Sequence, residues 1–277
     1  MVCGVEQVLL LGATGQIGRF VQRQWQEGEG RLCCAGRHGG EEVVRLDLYR
    51  DRLPQAGAIL STGPLDGLVQ ALERSRLPGL RRVVAFSSTS IIGKRQSLAA
   101  SERSLAQRLE ASERRLQQWC DAQAVEWVLL RPTLVYGGAN RNVNRVAHWL
   151  DRYRMVPYQW PATGLRQPVH AADLAWLARR VLWLPEAAQQ CWTLCGGETL
   201  SYRAMLERVR QAVGRGWLVP LPAALVAALT VKRPEIRAAF QRQQQDLCFD
   251  DRQARAVLGW RPGDFRPERT ALLERPS

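Results

Sequence analysis

Residues 8–18 read VLLLGATGQIG, and this stretch decides the fold. Four apolar residues end at a glycine, the pattern of a short buried strand, and the next apolar positions, Ile17, Phe20, Val21 and Trp25, fall at helical spacing. Strand, tight turn and helix therefore follow one another. In such a turn Gly12 lets the chain leave the strand sharply. Gly15 lets the backbone N–H groups around Thr14, Gln16 and Ile17 approach a pyrophosphate, and Gly18 lets the helix pack on the sheet. A glycine triplet by itself also describes a purely structural turn; the strand before it and the helix after it point to a dinucleotide.

Working outward, 31–35 (RLCCA), 43–48 (VVRLDL), 58–61 (AILS), 82–88 (RVVAFSS) and 125–130 (VEWVLL) are further strand candidates. The connection from 48 to 58 is too short for a full helix, which predicts a clipped crossover. From Ser101 an amphipathic helix carries Leu105, Leu109, Leu116 and Trp119 on one stripe. Helices are also expected at 142–153 and 173–184, the second stopped by Pro185, and another from Ser201. In an open parallel sheet ligands bind at the carboxyl edge of the strands, which puts Ser61, Thr62 and Gly63 beside the cofactor.

The GxxGxxG spacing resembles the short-chain dehydrogenase/reductase superfamily, in particular its extended, epimerase/dehydratase-like branch. The resemblance continues in Ser87–Gly93 (SSTSIIG, for SSxxVYG), Arg131–Gly138 (RPTLVYGG, for RPxxVYG), Arg166–Asp173 (RQPVHAAD, for RxxxHVxD) and Asp250–Pro262 (DDRQARAVLGWRP). It implies an α/β fold, a doubly wound parallel Rossmann sheet with a smaller mixed C-terminal substrate lobe. The cofactor domain is expected at 1–136 plus 165–190 and the lobe at 137–164 plus 191–277. By the same resemblance Asp47 and Leu48 contact adenine, Pro132 and Leu134 lie near the nicotinamide, and Ser88 hydrogen-bonds the reacting oxygen. A strand-end hydroxyl that merely caps backbone groups is the alternative role for Ser88. Arg166 matches the arginine that grips a nucleotide sugar's diphosphate, a task suited to a guanidinium fork. His170 and Asp173 are expected to hold the loop and cap the next helix.

Two features depart from the family pattern. The strand ending at 35 is followed by Arg37 and His38 with no carboxylate, which favours NADP over NAD, since an arginine suits a ribose 2′-phosphate. Registering the long helix by its LEASE run (109–113) puts Leu105 and Leu109 where family enzymes carry the tyrosine and lysine of YxxxK. None of the five tyrosines has a lysine four residues on. Proton transfer would then fall to Ser88 with water, to Lys94, or to a residue of the second lobe.

The net charge is +13, and all but two of the 39 basic residues are arginines spread along the chain. This is a compositional habit rather than a nucleic-acid footprint, so no nucleic-acid partner is expected. The stretch 217–231 is the most apolar; a buried helix is the expected reading and a membrane-surface helix the alternative, so membrane association is not expected. The amino terminus shows no signal-like block, and the scattered cysteines suit reduced thiols rather than metal, so a cytoplasmic location is expected. Two functions stand side by side. One is an NAD(P)-dependent oxidoreductase acting by hydride transfer on a nucleotide sugar or another small carbonyl or alcohol substrate. The other is a catalytically silent NADP sensor or assembly protein of the same fold. Oligomeric state is left open.

Overall fold

The computed structural model describes residues 7–138 and 143–273. Its opening strand β1 (Gln7–Leu11) is almost wholly buried, and Gly12 turns the chain into α1 (Gln16–Gln24). Then come β2 (Arg31–Gly36), β3 (Val43–Arg45), β4 (Ala58–Ser61), α2 (Leu65–Arg74), β5 (Arg82–Phe86), α3 (Ser90–Gly93), α4 (Ala100–Ala122) and β6 (Glu126–Pro132). The crossover between β3 and β4 contains no helix, as its length predicts. Leu46, Leu48 and Leu53 bury themselves from irregular backbone instead.

The second half begins with β7 (Val135–Tyr136), α5 (Val143–Tyr153), β8 (Met155–Gln159), β9 (Leu165–Arg166), β10 (Val169–His170), α6 (Ala171–Val181) and β11 (Gln190–Leu194). It ends with β12 (Leu200–Ser201), α7 (Tyr202–Val213), β13 (Trp217–Leu221), α8 (Ala223–Leu229), α9 (Pro234–Arg242), α10 (Arg252–Leu258) and α11 (Arg269–Leu273). Position 142, the expected start of α5, lies outside the described residues, as do 1–6.

Seven parallel strands in the order β11-β6-β5-β4-β1-β2-β3 form one sheet. One face packs α1, α6 and α10 over Val8, Leu10, Val84 and Trp192; the other packs α2 and α4 over Leu9, Ile59, Val83 and Leu129. This is the doubly wound α/β arrangement. Strand order reverses between β1 and β4, which opens a crevice at their carboxyl ends. A separate core around Tyr136, Val143, Leu150, Met205, Val209 and Phe265 holds the smaller lobe.

Three departures from the sequence reading have physical causes. The stretch 217–231 is not one buried helix. Pro220 and Pro222 lack N–H groups and cannot sit inside a helix, so β13 pairs with β8 instead and only the seven residues of α8 are helical. Strand β5 stops at Phe86 because Ser88 and its neighbours turn into α3. Finally, β11 extends the main sheet beyond position 190, and Trp260 packs into the sheet's core, so parts of 191–277 pack with the main sheet rather than with the smaller core.

Candidate functional site

The glycine turn has no room for side chains. Gly12 has φ 76°, and a Cβ there would stand 2.8 Å from Gly63 N and Thr62 Oγ1. A Cβ on Gly18 would overlap Gly12 O and stand 2.8 Å from Ala13 O. Thr62 locks the turn, its N–H donating to Leu11 O (2.9 Å) and its hydroxyl to Gly12 O (3.0 Å). Gly15 is the N-cap of α1 and offers no side chain. The N–H groups of Gln16 and Ile17 have no intrahelical partner, and both residues line a cavity of about 950 Å³. A helix start with open donors and a positive dipole end suits a pyrophosphate. Thr14 and Gly15 also border a second cavity of about 770 Å³ beside His170 and Arg266. The Gln16 side-chain amide donates to Gly137 O (2.6 Å), tying the turn to the segment after β7.

On the side of β2 and β3 the structure places Arg37, Asp47 and Leu48 away from the larger cavity. Arg37 is exposed just past β2. A Cβ on Gly39 would lie 3.3 Å from Arg45 Cβ, so exposed Arg45 stands beside the same turn, a second basic residue that the sequence reading missed. The Asp47 carboxylate accepts from Tyr49 N–H (3.0 Å). Leu48 is buried beneath Gly63. Ser61 on β4 is 1 % exposed, and its hydroxyl has no hydrogen-bond partner among the described residues.

At the other end of the crevice Ser87, Ser88, Leu109, Pro132, Thr133 and Leu134 share the wall of the larger cavity with Thr62 and Gly63. Ser88 Oγ donates to Ser90 Oγ (3.0 Å) and accepts from Ser90 N–H (3.1 Å), so it caps α3 as well as facing the cavity. Ser87 Oγ, also buried, has no hydrogen-bond partner among the described residues. Helix α4 is fixed by Glu113, 3 % exposed, which takes a two-bond ion pair from Arg131 on β6, Nε to Oε1 at 2.8 Å. One turn earlier on that face stands Leu109, pressed to the cavity, and one turn before that Leu105. Lys94 lines the cavity but is held by Glu102 (3.7 Å), which also pairs with Arg242 and accepts from Ser97 Oγ.

The far half of the cavity is assembled from the smaller lobe. Arg166 is 5 % exposed. Its Nη1 donates to Leu165 O and Gln245 O, both at 2.7 Å, and its Nη2 to Arg242 O. With the Gly164 N–H donating to Gln243 O (3.0 Å), it straps segment 242–247 against β9. No carboxylate of the described residues pairs with this guanidinium, and burial pulls its pKa down. Tyr202 lies beneath it, 5.3 Å from guanidinium carbon to ring centre. Among the described residues Tyr202 is the cavity's one tyrosine. Burial raises its pKa, against the pull of Arg166, Arg145 and Arg242, so the phenol keeps its proton at neutral pH. Arg145 and Arg242 complete a basic rim, and Trp149, Val156, Met205, Val209, Ile236 and Phe240 supply apolar walls.

His170 caps α6, its Nδ1 accepting from Ala172 N–H (3.1 Å), and its ring lies edge-on between Phe20 and Tyr136. Asp173 Oδ2 accepts from Gly263 N–H (3.0 Å). Among the described residues no cluster of three or more His, Cys, Asp or Glu could hold a metal.

No family model matches the sequence, and no curated protein matches it. Solved structures do. The fold is similar to that of MoeE5 in complex with UDP-glucose and NAD (TM-score 0.68, 18% identity, 96% of each chain). It is similar to UDP-glucuronic acid 4-epimerase from Bacillus cereus in complex with NAD (TM-score 0.70, 13% identity, 97% of each chain). It is also similar to epimerase Mth375 from Methanothermobacter thermautotrophicus (TM-score 0.71, 15% identity, 96% of this chain and 90% of that one). At these identities the likeness is one of fold, and it runs over both lobes.

Proposed function

We propose that the chain is an NAD(P)-dependent oxidoreductase of the epimerase/dehydratase type that takes a nucleotide sugar. The observation that carries this reading is the continuity of the site. A glycine turn with open helix N–H groups leads through Thr62, Gly63, Pro132 and Leu134 into a cavity whose far half presents the buried, carboxylate-free guanidinium of Arg166. The fit to a dinucleotide rests on the turn, where Cβ atoms at Gly12 and Gly18 have no space, and on the orphaned hydroxyls of Ser61 and Ser87 along the crevice. The nucleotide-sugar complexes among the structural neighbours support the substrate class.

In this reading Thr14 to Gly18 hold the pyrophosphate. Asp47, Leu48 and Gly63 border the adenine, and Arg37 with Arg45 takes a 2′-phosphate, which favours NADP. A bound nicotinamide supplies reversible two-electron chemistry at a substrate carbon. Arg166, with Arg145 and Arg242 near it, binds the diphosphate. Ser87 and Ser88 orient the reacting oxygen; Ser88 must release Ser90 Oγ to do so. Leucines at 105 and 109 carry no proton, so we assign proton transfer to the second-lobe phenol of Tyr202. The same two leucines favour the second reading, a silent NADP-binding protein.

Thermal unfolding with NADPH, NADH and UDP-sugars separates the two, because a ligand that prefers the native state raises Tm by mass action. The enzyme reading expects stabilisation by NADPH and, additively, by a UDP-sugar that is then turned over. Stabilisation by NADPH alone selects the sensor, and no response to either dinucleotide refutes both.

A further inference from the structure

We propose that the face built by α8, β13 and the end of α5 docks on an anionic lipid surface. Helix α8 reads AALVAAL and contains no polar side chain. A helix that is apolar all round belongs in a core or a membrane interface. Here Val226 is its one buried residue, while Leu225 and Leu229 stand 43 % and 65 % exposed. The apolar surface continues through Val231 on the following turn, 70 % exposed. On neighbouring β13, Trp217 is 76 % exposed and in register with Met155 on β8. Tyr153 and Trp160, at the two ends of β8, are likewise exposed. These elements are contiguous, since β13 pairs with β8 and α9 packs against both β8 and α8.

The exposed charges among them are predominantly basic. Arg152, Arg154, Lys232, Arg233 and Arg237 are exposed; Glu235 is the exposed acid, and the nearby Asp151 is paired with Arg215. Exposed tryptophan and tyrosine, leucine on a helix face and interleaved basic residues are the chemistry of a peripheral contact with anionic headgroups. A second copy fits worse, because a two-fold contact would bring the same cationic patch against itself. A nucleic acid would leave the apolar residues without a role. The face shares walls with the cavity through Val156 and Pro157 of β8 and Ile236 and Phe240 of α9. This inference goes beyond the proposed reaction and stands without it.

The test is co-sedimentation of the full chain with vesicles of phosphatidylcholine alone, or of equal parts phosphatidylcholine and phosphatidylglycerol. Binding to the anionic vesicles is expected, weakening as salt screens the charges. The double change Lys232→Ala/Arg233→Ala should weaken partitioning about 25-fold, at about fivefold per basic residue. Leu229→Ser and Trp217→Ser should each weaken it about tenfold through lost apolar burial. Because these positions are exposed and lie on separate elements, the variants should keep the parent Tm, and any one that unfolds leaves the others to decide. Affinity for NADPH and UDP should not change in any of them, so a failure of the proposed reaction reads out separately. Equal binding to both vesicle types, binding to neither, or binding that survives Leu229→Ser and Trp217→Ser overturns the proposal. So does a dimer that Leu229→Arg dissociates, since the face would then belong to a second copy.

Discussion

Replacing Arg166 with methionine separates a strap from a grip, because the stem's apolar volume stays while the guanidinium goes. Three carbonyls lose a donor. Leu165 O still accepts from Leu247 N–H (2.9 Å) and Arg242 O from Gln245 N–H (3.2 Å), so Gln245 O alone loses the one partner it has among the described residues. Three charge-assisted bonds are lost at about 1.5 kcal/mol each. Relief from burying a cation that has no carboxylate offsets part of that sum. The net is a loss of about 2–3 kcal/mol, or roughly 3–5 °C in Tm for a chain of this size. Differential scanning fluorimetry without ligand reads this strap contribution directly. Calorimetric titration with UDP then reads the grip: a charge-assisted contact to phosphate is worth about 1.5–3 kcal/mol, so affinity should fall about 10- to 150-fold while NADPH affinity stays. An unchanged Tm refutes the strap, and an unchanged UDP affinity shows that the guanidinium's remaining donors do not meet the diphosphate.

Three other outcomes are expected. Arg37→Glu should shift the NADPH-to-NADH affinity ratio about tenfold or more towards NADH, since it replaces the 2′-phosphate's cation with a carboxylate; an unchanged ratio would leave Arg45 as that contact. Tyr202→Phe should lower kcat about a hundredfold and remove the alkaline limb of its pH profile, as loss of a general acid does, whereas a change in KM alone would mean that the ring only packs beneath Arg166. His170, half-buried as an N-cap, is held below imidazole's ordinary 6.5 by desolvation, so the unfolded chain binds a proton more readily. Its contribution to stability is complete above that value and is lost as pH falls below it, so Tm should drop from about pH 7 to about pH 5.5, and His170→Gln should flatten that slope.

The fold was legible where burial and period agree. AILS (58–61), three apolar residues and a serine, is β4 in full; the stripe of Leu105, Leu109, Leu116 and Trp119 lies on α4. The glycine turn was legible for the same reason, since its strand, close-packed glycines and helix lie in consecutive residues. Legibility failed where partners are distant. Nothing between 217 and 231 says that 217–221 pairs with 155–159, although its two prolines do argue against a helix. Arg45, Arg145, Tyr202 and Arg242 are ordinary residues of their own segments. Only the folded lobe brings the last three to one cavity, and no local spacing marks them.

Leu109 is different, because the sequence marks it and the structure says why it cannot be bypassed. Rotating α4 to present another side chain to the cavity would tear Glu113 from Arg131. Separating a buried ion pair costs about 3–5 kcal/mol, more than any gain from one new hydrogen bond at about 1 kcal/mol. The helix therefore stays in register with Leu109 facing the cavity. Lys94, the one lysine in reach of that wall, has its ammonium beside Glu102 rather than beside a phenol. If the chain turns over a substrate, the proton has to cross from the opposite wall, where Tyr202 keeps its own under three arginines. The proposed reaction run from the second lobe would then use the proposed cofactor turn and diphosphate grip, and change only the direction from which the proton arrives.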